Sequence, residues 1–128
     1  MSLPVTTLLA GIFTLMMIPL SLQVSMRRFR TGIADISGAD DSVLRRRIRA
    51  HGNFIEYAPT ALIALGLIEY GGAAEPLVYA LAAAFLTSRV LHALGMLYAS
   101  GPALRGAGML IQHAAFLIAG SWLVARGW

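Results

Sequence analysis

The sequence predicts an all-α integral membrane protein, a single domain over residues 1–128 folded as an antiparallel bundle of four transmembrane helices. Three observations carry that prediction. Hydrophobic residues make up 58% of the chain and charged residues only 12%, about half the ~25% charged share of a soluble domain, and the mean hydropathy is +0.72. Four apolar stretches, at about 3–26, 43–70, 76–99 and 105–125, each reach the roughly 20 residues that cross a bilayer. Two tight breaks and one longer polar connector separate them, which is the connection pattern of antiparallel neighbours.

Residues 3–24 carry no charge. With no basic segment before them and no small-residue cleavage site after them, they are expected to form an uncleaved first span. Pro19 can kink that span without breaking it, because lipid-buried helices tolerate proline. Residues 26–47 form a polar connector in which Gly32, Gly38 and Asp40-Asp41 read as loop, and Asp41 or Ser42 is the candidate cap of the next helix. The second span ends at Gly71-Gly72, and 73–75 is a short turn. The third span contains Arg89 and His92. After the turn Ser100-Gly101-Pro102, the fourth span is charge-free inside, with Trp122 and Trp128 placed as interfacial anchors. Small residues at 80–84, Gly106 and Gly108 allow close helix packing.

All ten basic residues are arginine and the net charge is +4. Arginine stays ionised and grips carboxylates bidentately, which suits anion recognition; a GC-rich genome produces the same bias. Seven of the ten lie between Arg27 and Arg49, and Arg105 falls in the third connection. The positive-inside rule then faces both termini outward and turns the first and third connections to the cytosol. With no cysteine, disulfides, thiolate metal sites and cysteine nucleophiles are excluded. His51, His92 and His113 lack ligand spacing, so no metal is expected. The basic residues flank membrane segments and form no patch interleaved with aromatics, which argues against nucleic acid.

The stretch Arg49-Ala50-His51-Gly52-Asn53-Phe54-Ile55-Glu56-Tyr57-Ala58-Pro59 concentrates the ionisable groups. On a helix, Arg49, Asn53, Glu56 and Thr60 recur at i, i+4, i+7 and i+11 and share a face. A carboxylate on a greasy helix is expensive unless it meets a partner or a wet cavity. At ~1.5 Å per residue, Glu56 lies roughly 10–15 Å from the cytosolic end, Arg89 about 16 Å and His92 about 12 Å. Glu56 is therefore expected to pair with Arg89, and Asn53 to lie level with His92. The pair either locks two helices or lines a cytosol-facing cationic vestibule completed by Arg27, Arg28, Arg49 and Arg105. The run Arg45-Arg46-Arg47 reads as topology signal and headgroup contact, and Gln112 with His113 as an interhelix hydrogen bond. The vestibule would suit an anion with carboxylates for the arginines and an amine or amide for Glu56 and Asn53. A small peptide meets that description, as do many metabolites.

These residues resemble a known family. Arg49-Ala50-His51-x-Asn53-x-x-Glu56-Tyr57-x-Pro59, followed by Arg89-x-x-His92, is similar to the membrane-associated proteins in eicosanoid and glutathione metabolism (MAPEG), over essentially the whole chain. The segment Ser21-Leu22-Gln23-Val24 leading to Arg27-Arg28 is similar to the end of the family's first helix. The His51-Gly52-Asn53-x-x-Glu56-Tyr57 version looks like a bacterial branch, and so a bacterial inner membrane. The resemblance implies a homotrimer holding glutathione between subunits near the cytosolic side. It puts Asn53 and Glu56 on the peptide, with Arg49, Arg89 and His92 around it and Arg27 or Arg28 completing the ring. Arg105 would take the catalytic role of stabilising the thiolate, since a nearby cation lowers a thiol pKa from about 8.5. Three positions depart from the pattern. Gly52 replaces an arginine of the prostaglandin-forming members, Met96 stands where several catalytic members have a tyrosine, and Gly106 follows Arg105 in place of a serine.

The expected function is that of a glutathione-binding membrane protein, a transferase or peroxidase acting on lipophilic electrophiles that arrive through the bilayer. The alternative is a non-enzymatic lipid-binding or scaffold protein of the same family, which the departures favour. A small multidrug transporter fits the size, but such proteins keep their key carboxylate in the first span, where this chain has none.

Overall fold

The computed structural model describes residues 2–38, 40–99 and 101–126, so Trp128, and Ser100 of the third connection, lie outside the described residues. Four helices form: α1 (Pro4–Thr31), α2 (Ser42–Tyr70), α3 (Glu75–Leu97) and α4 (Ala103–Arg126). By length and composition α1, α3 and α4 are apolar enough to cross a membrane. α2 is longer than α3 or α4, but its run of arginines, with Glu56 and Glu69, sets it apart in composition.

α1 continues five residues past the expected end of the first span. Gly32 stops it by adopting φ 67° and donating its N–H to the Arg28 carbonyl, the left-handed cap that glycine takes without strain. What was expected to be connector is thus partly helix. The preceding residue, Leu3, gives α1 no side-chain cap. A carboxylate from the far end of α2 serves instead: Glu69 accepts from the Val5 N–H (2.9 Å), the Thr6 N–H (2.8 Å) and the Thr6 hydroxyl (2.6 Å). At the other end of the same helix pair, Asp41 caps α2, accepting from the Val43 and Leu44 N–H groups at 2.9 Å each. The start of α1 therefore meets the end of α2 and the reverse, so the pair is antiparallel.

Packing centres on α2 and α3. Phe54 meets Phe13 of α1 edge-on at 5.3 Å between ring centroids, and Phe85 meets Phe116 of α4 at 5.5 Å. Leu65, Ile68 and Phe85 are fully buried. α3 and α4 approach closely at two glycines. A methyl group on Gly95 would sit 2.5 Å from the Arg105 backbone nitrogen, and one on Gly108 would sit 2.7 Å from the Ser88 carbonyl oxygen. Gly106 by contrast faces open space. Among the described residues α1 and α4 make no contact, so the bundle is open, with α1 and α4 flanking an α2–α3 centre. The outer faces, carrying Leu15, Ile18, Leu117 and Ile118 among others, are exposed and apolar.

Candidate functional site

The polar centre is built around Arg89, whose side chain is only 2% exposed. Its Nη1 donates to the Asn53 Oδ1 at 2.5 Å and reaches the Asn53 carbonyl at 3.4 Å; its Nε reaches the Ser88 hydroxyl at 3.2 Å. The guanidinium lies 4.9 Å from the centre of the Tyr57 ring, within cation–π range. Tyr57 is in turn packed against His113 and Phe116 of α4. Nη2 points to the Met109 sulfur at 3.8 Å, and the Asn53 Nδ2 has the same thioether at 3.6 Å. Behind Arg89, the Ser88 hydroxyl lies 2.5 Å from the Gln112 Oε1 and 2.7 Å from the Phe85 carbonyl.

The expected Glu56–Arg89 pair does not form. Glu56 is exposed, and among the described residues the ion pair present joins Arg27 to Asp41. The reason is azimuth. The buried stripe of α2 runs through Ala50, Phe54, Ala58, Ala61, Leu65 and Ile68. At about 100° per residue, Asn53 lies at the edge of that stripe and Glu56 about 60° further out. The shared face of Arg49, Asn53 and Glu56 thus straddles the border of the bundle. Asn53 turns in to α3, while Arg49 and Glu56 turn out.

His92 is buried one turn beyond Arg89, and Arg89, Arg49 and Arg105 all lie close enough to act on it electrostatically. Arg105 is exposed, with its Nη1 4.0 Å from the Met96 sulfur. Arg49, Asn53, Arg89, His92 and Arg105 are therefore gathered at one end of the α2–α3–α4 seam. Arg27 and Arg28 are not among them. Arg27 donates through Nε to Asp41 at 2.9 Å, and Arg28 binds the carbonyls of Asp35 and Ile36. Both fasten the connector to the end of α1. The capping N–H groups of Leu44 and Val43, with the Arg27 guanidinium, hold the Asp41 carboxyl below its ordinary 3.8.

Met109 and Ser88 were not singled out from sequence, and Tyr57 was named only as part of the second-span motif, with no contact assigned to it. Tyr57 had a legible signal, since it lies one turn after Asn53 on the same side; Met109 and Ser88 resemble ordinary core. Gln112 bonds across to α3 as expected, but His113 turns back to the Met109 carbonyl of its own helix.

A helical bundle with three membrane-length apolar helices and an arginine buried where α2, α3 and α4 meet defines an integral membrane protein with a polar centre at one end. The MAPEG family model matches residues 6–125, and the chain belongs to that family. No curated protein and no solved structure matches it.

Proposed function

We propose that the chain binds glutathione and uses it as a membrane transferase or peroxidase acting on lipophilic electrophiles. The observation that carries this reading is Arg89. A guanidinium buried beside an amide, a hydroxyl, a thioether and an aromatic face, with no carboxylate partner among the described residues, leaves a positive field that an anion would neutralise. Arg49 and Arg105 add to it from the rim. The donor set fits the tripeptide. The arginines suit its carboxylates, the outward Glu56 suits its ammonium group, and the Asn53 Nδ2, held only by a weak thioether acceptor, suits an amide carbonyl. When bound, glutathione would supply a sulfur nucleophile. Arg105 would hold the negative charge on that sulfur, and Arg89 with Asn53 would fix the position of the backbone.

The reading extends to a homotrimer that completes the rim from a neighbouring copy, in a bacterial inner membrane with both termini outside and the site open to the cytosol. The arginine-rich end of the molecule supports that orientation. Isothermal titration of glutathione into detergent-solubilised protein tests binding. We expect saturable binding that is lost in Asn53→Ala and Glu56→Gln; no heat at millimolar glutathione overturns the proposal. Conjugation of a generic electrophile then tests Arg105→Ala, which should abolish turnover and spare much of the binding.

A second reading, a lipid-binding or scaffold protein without turnover, is favoured by Met96. Arg105 meets a thioether there, and Gly106 adds no hydroxyl beside it. Glutathione binding with no conjugation or peroxidase activity would decide for it.

A further inference from the structure

A second cleft lies between α1 and α3, on a different face of α3 from Arg89 and His92. Its outer chamber, about 400 Å³, is at the arginine-rich end and is lined by Gln23, Ser42, Arg46, Arg47 and Tyr98 among others. Its inner chamber, about 230 Å³, continues down the helices between Pro19 and Leu20 on one wall and Ala93 and Leu94 on the other. Gln23, Leu97 and Tyr98 line both chambers, so the two adjoin, with arginines at the outer one and mainly apolar walls at the inner one.

Two features indicate what the cleft accepts. Two arginines and no carboxylate line the mouth, and Arg47 is held in place there by donating its Nη1 to the Gln23 carbonyl at 2.9 Å. The exposed ring of Tyr98 at the rim matches the aromatic belt of a membrane interface, which places the mouth at headgroup depth and the groove at acyl depth. Basic pockets between membrane helices at the headgroup level favour anionic lipids, and arginine binds phosphate bidentately.

We propose that this cleft is a binding site for one anionic phospholipid. Arg46 and Arg47 hold the phosphate, and one acyl chain lies in the groove beside Leu20, Ala93 and Leu94. The site is independent of the glutathione reading and survives its failure.

The test is thermal unfolding of the full chain in a zwitterionic detergent, titrated with phosphatidylglycerol, phosphatidylcholine or inorganic phosphate. We expect saturable stabilisation by phosphatidylglycerol alone. Arg46→Ala, a change at an exposed side chain, should raise its half-saturation about fivefold, the weight of one arginine at a lipid surface. Ala93→Phe, which fills the groove, should abolish the response. Equal stabilisation by phosphatidylcholine overturns the charge recognition, and an equal effect of inorganic phosphate overturns the acyl-chain groove. An unchanged phosphatidylglycerol response in both Arg46→Ala and Ala93→Phe overturns the site.

Discussion

Arg89 carries a full charge into the bundle, and the groups around it are dipoles. The Asn53 Oδ1 at 2.5 Å and the Tyr57 ring at 4.9 Å take the place a carboxylate would hold in a closed ion pair. Asn53→Ala would remove the best acceptor and should destabilise the fold by about 1.5–3 kcal/mol, the range for a hydrogen bond to a charged group. Adding Arg89→Met should recover part of that loss, because replacing both members of a buried polar pair is often neutral. Urea unfolding of the two variants measures the difference, and a double variant less stable than Asn53→Ala would contradict it. Asp41 supplies a pH-dependent counterpart outside the membrane segments. Its folded-state pKa is lowered below 3.8 by the Leu44 and Val43 N–H groups and by Arg27. The stability it contributes is therefore fully present above about pH 4 and is lost as pH falls through the lower folded value. Melting temperature against pH should drop on acidification in the wild type, and by less in Asp41→Asn. Asn53 and Arg89 were legible in the sequence because polar groups in apolar helices stand out. Their pairing was not, because counting depth along two helices says nothing about which way each side chain turns. Met109 looked like core because thioether groups usually are, and Tyr57 was read only as a letter of the motif.

At the level of elements, the α3–α4 seam depends on two glycines. Gly108→Ala would drive a methyl group to 2.7 Å from the Ser88 carbonyl oxygen and 2.8 Å from the His92 nitrogen. Both contacts are backbone atoms that cannot rotate aside, so the helices must separate, at about 1–3 kcal/mol. Gly106→Ala and Gly120→Ala face open space and should be neutral or gain up to ~1 kcal/mol from helix propensity. Thermal melts of the three variants check the ordering, and equal effects would contradict the close approach. The α1–α2 pair depends on Glu69 instead. Glu69→Ala leaves the Val5 and Thr6 N–H groups without their acceptor, so hydrogen exchange should accelerate in the first turn of α1, at a cost of about 1 kcal/mol. The helices themselves were legible from apolar length and from Asp41 and Gly71-Gly72. The extension of α1 to Thr31 was not, because its last turns carry Arg27, Arg28 and Arg30, and charge reads as loop. Arginine is nonetheless a good helix former, and Arg27 and Arg28 reach out to the connector.

The whole molecule is an open bundle. α2 and α3 form its centre, and α1 and α4 stand on opposite sides without touching among the described residues. Lipid can cover the exposed leucines and isoleucines of the outer helices, but it cannot satisfy Glu56. That residue is the midpoint of α2 (Ser42–Tyr70) and faces away from its own bundle. On the proposed reading that α2 also crosses the membrane, a carboxylate on its outer face costs up to about 3 kcal/mol unless it meets a wet cavity or a cation from outside the chain. A neighbouring copy would supply both, by closing the outward face and bringing its own arginines against it. The trimer proposed above predicts a protein mass three times 13.7 kDa in mild detergent. Glu56→Leu separates the two roles of the carboxylate. If Glu56 only joins copies, the variant should dissociate toward monomer and lose glutathione binding as a consequence. If it faces a cavity that the assembled copies enclose, the apolar variant should stay trimeric and lose glutathione binding alone. A wild-type protein that runs as a monomer and still binds glutathione would sink both, and would require the open face of one chain to be the whole site.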